Sequence, residues 1–131
     1  HGVDYRGPVS KVDLGGTYAG FDALVLALGT GAYVTSGKVY EYCASGLPIA
    51  SVHDPGNAAS DVLRGHPGWS PAEGLAAEQV AEAIIATARR AAAQTSAERA
   101  AAQRWAAQYE RQAQLGPRIA DLTAAVRGGQ A

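Results

Sequence analysis

The chain has 131 residues and a formal net charge of −1. That is room for one modest hydrophobic core, and too even a charge balance for a surface that holds nucleic acid by bulk electrostatics. A single cysteine rules out an intrachain disulfide and a cysteine-built zinc site and fits a reducing, cytosolic setting, and no apolar run approaches the ~20 residues of a membrane span.

The first predicted element is a short strand over Gly2–Gly7 (GVDYRG), in which Val3 and Tyr5 alternate with polar neighbours before Gly7-Pro8 ends it. Ser10 or Asp13 caps a short helix to about Phe21, with Leu14, Tyr18 and Phe21 at helical spacing. Ala23–Leu28 (ALVLAL) is an unbroken apolar run of the kind buried on both faces of a parallel sheet. It stops at the turn Gly29-Thr30-Gly31. Thr35 or Ser36 caps the next helix, which carries Val39, Tyr42 and Cys43 on one side. Gly46 is placed to end it, and Pro48 lies just beyond. Ile49–Val52 is a second short apolar strand. Strand, helix, strand, helix, strand is the grammar of a right-handed parallel α/β sheet.

His53–Pro71 is rich in Gly, Pro, Asp and Asn, with a short helix near Ala58–Leu63 and an edge strand near Trp69. From Glu78 the pattern turns helical through Val80, Ile84, Ile85 and Ala88. Ser96 caps a second, alanine-rich helix to about Leu115, Gly116-Pro117 breaks or kinks it, and Ile119, Leu122 and Val126 mark a last helical piece. The organisation expected is a βαβαβ unit over 1–75, C-terminal helices over 76–127 and a frayed tail over 128–131. The chain has no methionine and begins at His1, without a signal-peptide pattern. It therefore reads as a piece of a longer protein.

In an open parallel sheet, ligands sit beyond the carboxyl ends of the strands. Leu28 runs into Gly29–Ser36 and then directly into a helix start. Such a start offers free backbone N–H groups and partial positive charge to an anion, often phosphate. Lys38 in the first turn works against the helix dipole, which a bound anion would explain. Glu41, one turn on, can accept two hydrogen bonds from a vicinal diol such as that of a ribose. The plainer reading is that Lys38 and Glu41, at i and i+3, form an exposed ion pair worth ~0.2–0.5 kcal/mol. A P-loop is excluded: Gly31–Val39 (GAYVTSGKV) has five residues between its glycines rather than four, and Val39 stands where a hydroxyl would hold magnesium. Gly29-Thr30-Gly31 does not continue into GxGxxG either, because Val34 takes the third position.

Elsewhere the structural roles come first. Cys43 reads as a buried, inert thiol. His53 and Asp54 read as a polar turn at a strand end, within reach of a ligand. His66 reads as a solvated loop histidine, and with His53 it has no metal-ligand spacing. Asp22 fixes a turn. Trp105 and Tyr109, at i and i+4, read as packing residues that would leave an apolar helix surface for self-association if exposed.

The order of these residues resembles the GT-B glycosyltransferases, family-4-like. VDYRGPVSKVDLGGTYAGFDALVLAL is similar to their segment in which a G-x-V turn precedes a short helix and an A-D-V-x-L-x-P strand. SGKVYEYCASGLPIAS is similar to their K-x-x-E-Y-x-A-x-G-x-P-V-V-A signature, and LAAEQVAEAI to the helix that follows. The likeness spans most of residues 3–90. It implies part of a C-terminal, nucleotide-sugar-binding Rossmann-like domain of a two-domain enzyme. The helix over Ser36–Ser45 would point its amino terminus at the donor diphosphate, held by Ser36, Gly37, Lys38 and Val39. Glu41 would bind the ribose, and Gly29, Thr30, Gly31 and Tyr33 would form the donor loop. No metal or other cofactor is implied. Many members carry a glutamate eight residues before the ribose-binding one, and here that position is Tyr33. The donor sugar and the stereochemical outcome are therefore not implied.

The resemblance further implies a missing acceptor-binding N-terminal domain, an inactive fragment, and a cytoplasmic parent protein, free or at the inner face of the membrane. Two other readings stand beside it: a sugar-nucleotide epimerase of the same architecture, and a non-catalytic interaction domain that kept the fold.

Overall fold

The computed structural model describes residues 2–29 and 36–128. Its elements are, in chain order, α1 (Leu14–Ala19), β1 (Leu24–Ala27), α2 (Gly37–Ser45), β2 (Ile49–Val52), α3 (Ala58–Leu63), β3 (Trp69–Pro71), α4 (Ala77–Ala93), α5 (Ser96–Ala106), a 3-10 turn at Ala107–Tyr109 and α6 (Arg111–Gly128). The three strands form one parallel sheet in the order β1-β2-β3, with Leu24 opposite Ile49 and Ile49 opposite Trp69. The fold is α/β, a small Rossmann-like parallel sheet flanked by helices.

Side-chain alternation along the strands divides the core. Leu26 and Ile49 pack with Val39 and Cys43 of α2 and with Ala59 and Leu63 of α3. Right-handed crossovers put both helices on that face. α4 packs along β2 and β3 and carries the buried Ala83 and Thr87. Each fully buried aliphatic side chain here stabilises the fold by about 1.5–3 kcal/mol.

α2 starts and stops for local reasons. Ser36 is extended, and its hydroxyl accepts the N–H of Lys38 at 3.3 Å, which satisfies one orphan donor. Gly46 ends the helix in the left-handed region at φ 70°, where a Cβ would be strained. α5 then docks across that end. Ser45 O accepts from Arg99 Nε and Gln103 Nε2, both at 3.2 Å, and Gly46 O accepts from Gln94 Nε2 at 2.9 Å. The Arg99 guanidinium thus sits on the negative end of α2, where a cation is favoured.

Four expectations are corrected. Residues 2–7 form no strand: Val3 is 93% and Tyr5 89% exposed, and alternation without a neighbouring strand to bond cannot hold extended backbone in a sheet. The third strand is β3 instead. The second of the C-terminal helices is capped by Thr95, whose hydroxyl and backbone exchange hydrogen bonds with Glu98 in a reciprocal capping box, and it ends at Ala106, not near Leu115. Gly116-Pro117 breaks nothing: α6 runs through Pro117, and the break falls at Glu110, which is extended. His66 is not solvated but 5% exposed, with its ring edge-on to Trp105 at 5.3 Å.

Trp105 and Tyr109 do pack. Trp105 lies against the core cluster, and Tyr109 Oη donates to Val62 O at 3.0 Å. Tyr109 also stacks edge-on between Trp105 and Tyr40. The stripe left exposed is on α6: Leu115, Ile119, Leu122 and Val126. Among the described residues, no helix is long and apolar enough to cross a membrane.

Candidate functional site

The carboxyl edge of the sheet is built from Leu28-Gly29 after β1, His53-Asp54 after β2 and Ala72-Glu73 after β3. Thr30, Gly31 and Tyr33 of the expected donor loop lie outside the described residues. Gly29 is exposed, and a Cβ built on it would meet nothing within 4 Å. The same holds for Gly37, so packing against the described residues does not demand glycine at either position.

At the amino terminus of α2, Lys38 and Glu41 are both exposed. They do not pair with each other: the ion pairs within 4 Å among the described residues are Arg6–Asp4 and Arg64–Asp61. The surface-pair reading of this motif therefore loses its support. Of the four amides expected to face a diphosphate, two are already engaged. Lys38 N–H bonds Ser36 Oγ, and Val39 N–H bonds Ser36 O at 3.0 Å. Gly37 N–H is the first-turn amide that these bonds leave for a ligand. Val39 itself is a core side chain.

Glu41 looks the other way, toward α1. Tyr18 Oη donates to Glu41 Oε2 at 3.4 Å, a long bond that leaves most of the carboxylate's acceptor capacity open. Burial first, and the Glu41 carboxylate second, push the Tyr18 and Tyr42 hydroxyls above the ordinary tyrosine value. Tyr18 thus stays a protonated donor. Between α1, α2 and α5 lies an open cleft of ≈ 520 Å³ lined by Lys11, Tyr18, Glu41, Arg99 and Gln103 among others. This volume is typical of small-molecule sites. Lys38 does not line it, so the structure separates the two residues that the motif placed side by side.

The cleft's other polar groups were not singled out from the sequence. Lys11 comes from the segment before α1, and Arg99 and Gln103 come from α5, more than fifty positions along the chain from α2. Nothing in their local spacing marks them; the docking of α5 on the end of α2 brings Arg99 and Gln103 to the cleft, and the segment before α1 brings Lys11.

The turn after β2 is polar as expected; Asp54, Pro55 and Gly56 are exposed, and the residue before them is buried. Asp54 Oδ1 accepts from Gly56 N–H at 2.8 Å, while His53 is 3% exposed. Its Nδ1 lies 2.9 Å from Asp54 O, and a carbonyl only accepts, so Nδ1 carries the proton. Cys43 is fully buried, and burial pushes its thiol up to about 11, which makes it inert at neutral pH. Among the described residues, no three of His, Cys, Asp and Glu converge on a point that could hold a metal ion.

Comparison with known protein families, with curated proteins and with solved structures found no match.

Proposed function

We propose that this chain is the donor-binding part of a GT-B type glycosyltransferase and holds a nucleoside diphosphate-sugar. The observation that carries the reading is the arrangement around α2. A serine-capped helix start follows the carboxyl end of a parallel strand, bears a lysine without an ion-pair partner among the described residues, and has a carboxylate one turn on that opens into a cleft. That is the chemistry a diphosphate and a ribose diol require. The K-x-x-E-Y-x-A-x-G-x-P pattern over Lys38–Pro48 supports the same assignment. In this reading Gly37 N–H and Lys38 meet the diphosphate, and Glu41 accepts from the ribose. Lys11 and Arg99 bring positive charge to the nucleotide end of the cleft. Transfer of the sugar needs an acceptor-binding domain besides these residues, so the chain alone binds donor without turning it over.

The test is an amide NMR titration of the chain with UDP, GDP and inorganic phosphate. Shifts should cluster at Ser36–Glu41 and Tyr18, be larger for a nucleoside diphosphate than for phosphate, and vanish in Glu41→Ala. Affinity should be roughly millimolar, about 4 kcal/mol. A response to phosphate as large as to UDP and GDP, or one that survives Glu41→Ala, would sink the proposal.

A further inference from the structure

Of residues 111–127, only Gly116 is not fully exposed, and α6 packs within the chain against the 3-10 turn before it. A helix left to itself in this way is poorly held in water, the more so with Gly116 and Pro117 in its interior. Its large apolar side chains nevertheless stand in one line. Leu115, Ile119, Leu122 and Val126 follow at intervals of four, three and four, and are between 43% and 67% exposed. That repeat of 3.5 residues keeps a narrow seam turned toward a second helix, whereas a helix lying on a globular surface shows a wider apolar stripe. The flanks of the seam are Gly116, Arg118, Thr123 and Ala125, with no further large apolar residue.

The surface of α6 carries the matching relief. An open hollow of ≈ 410 Å³ is lined by Arg111, Gln112, Leu115, Gly116 and Ile119. The last four stand at i, i+3, i+4 and i+7, the four-residue hole that takes a knob from a facing helix. Gly116 keeps the hole open: a Cβ there would meet nothing within 4 Å, so packing against the described residues does not ask for glycine, and an arriving side chain gives it a use.

The seam fits its own reverse. Turned end for end, Leu115 falls opposite Val126 and Ile119 opposite Leu122, so that Val126 of a second copy enters the hollow beside Gly116. The charges agree with that direction. α6 begins at Arg111 and has no acidic residue in its first turn, and a cation at an amino terminus opposes the helix's own dipole. In an antiparallel pair Arg111 lies beside the carboxyl end of the other helix, where a cation is favoured. In a parallel pair the two Arg111 side chains would stand together. Across the antiparallel seam Arg118 faces Ala125 and Gly116 faces Thr123, so no like charges meet at its flanks.

We propose that α6 pairs antiparallel with α6 of a second copy of this chain, about a twofold axis between Ile119 and Leu122. The inference is independent of the donor reading of α2. Four apolar side chains per copy fall far short of the roughly 20–30 residues a side of a standard interface. The dimer is therefore weak, with a Kd between roughly 1 μM and 1 mM.

Sedimentation equilibrium of the chain across that concentration range should show a reversible monomer–dimer equilibrium. Leu122→Glu sets two carboxylates beside the axis and should weaken the dimer at least tenfold. Its melting as a monomer should be unchanged, because Leu122 is exposed there. Direction is read by oxidation of single-cysteine variants, since Cys43 is buried and takes no part. Leu115→Cys mixed with Val126→Cys should form a crosslinked dimer. Neither should crosslink alone, because eleven residues of helix put the like positions of an antiparallel pair about 16 Å apart, beyond the about 7 Å a disulfide spans. A chain that stays monomeric at roughly 1 mM overturns the proposal, whatever other partner it takes up. So does a dimer as tight in Leu122→Glu, or Val126→Cys crosslinking with itself.

Discussion

Replacing Gly46 by alanine should cost this protein much of its stability, and the structure gives the amount. Gly46 has φ 70°, and a Cβ there would lie 2.6 Å from Arg99 O and 2.7 Å from Gln103 Cγ. The left-handed backbone costs a non-glycine residue about 1–2 kcal/mol. The clash with a backbone carbonyl cannot be relieved by a rotamer change, so α5 must move, at an overpacking cost of about 1–3 kcal/mol. The total is about 2–5 kcal/mol. At about 4 °C per kcal/mol for a chain of this size, Tm should fall by about 8–20 °C. Urea unfolding and thermal melts measure this directly. Gly46→Asn separates the two causes, because asparagine tolerates the left-handed region but keeps the Cβ. If the close approach of α5 matters, Gly46→Asn remains clearly destabilised, and Gln103→Ala relieves part of the loss in both variants. A Gly46→Ala protein within about 0.5 kcal/mol of wild type would refute the argument, because neither the strain nor the contact would then be real.

Lys38→Ala and Glu41→Ala should each change stability by no more than about 0.5 kcal/mol, because both are exposed and not paired to each other; unchanged melting with lost UDP shifts separates a ligand role from a structural one. Stability should fall as pH drops below the ordinary histidine range. Burial lowers the pKa of His66, so the unfolded chain takes up a proton that the native ring resists. His66 Nδ1, which accepts from Gly68 N–H at 3.1 Å, is the atom that would have to be protonated. Urea midpoints at pH 7 and pH 5 test it, and His66→Phe should flatten the dependence. At the alkaline end the sign reverses. With the Cys43 thiol raised from 9.0 to about 11, its contribution is fully present below pH 9 and is lost as pH rises through 11. Cys43→Ala should remove that slope, and native Cys43 should resist thiol reagents until the chain unfolds. Pro117→Ala should restore an N–H inside α6, where proline costs about 3 kcal/mol of helix stability; slower amide exchange confined to residues 111–128 is the expected readout, since α6 is exposed along its length.

The local chemistry of this protein was legible in its sequence. The unbroken apolar runs at residues 23–28 and 49–52 are both strands, but only the second is covered on both faces; the first buries Leu24 and Leu26 and leaves Val25 49% exposed, against the expectation for an unbroken apolar run. Ser36 and Gly46 bound α2 because a hydroxyl and a missing Cβ satisfy the two helix ends, whatever the rest of the chain does. Cys43 is buried because it shares a helical face with Val39. Alternation at Val3 and Tyr5, by contrast, was strand-like without being a strand, since extended backbone needs a neighbour and none of the three strands pairs with that segment. Pro117 looked like a stop, but a proline costs a helix only a few kcal/mol, and the chain broke instead at Glu110, where Tyr109 is tied to Val62.

The site divides the same way. Lys38 and Glu41 could be found from spacing, because a helix start fixes what its first two turns present. Only the tertiary structure decided that they do not pair, that Glu41 faces Tyr18, and that Arg99 joins it from α5. It also decided that His53 and His66 are buried, the second edge-on to Trp105. Spacing along one chain sets which groups share a turn or a face. Which of those groups lose water, and which gain a partner from a distant segment, depends on how the helices close over the sheet.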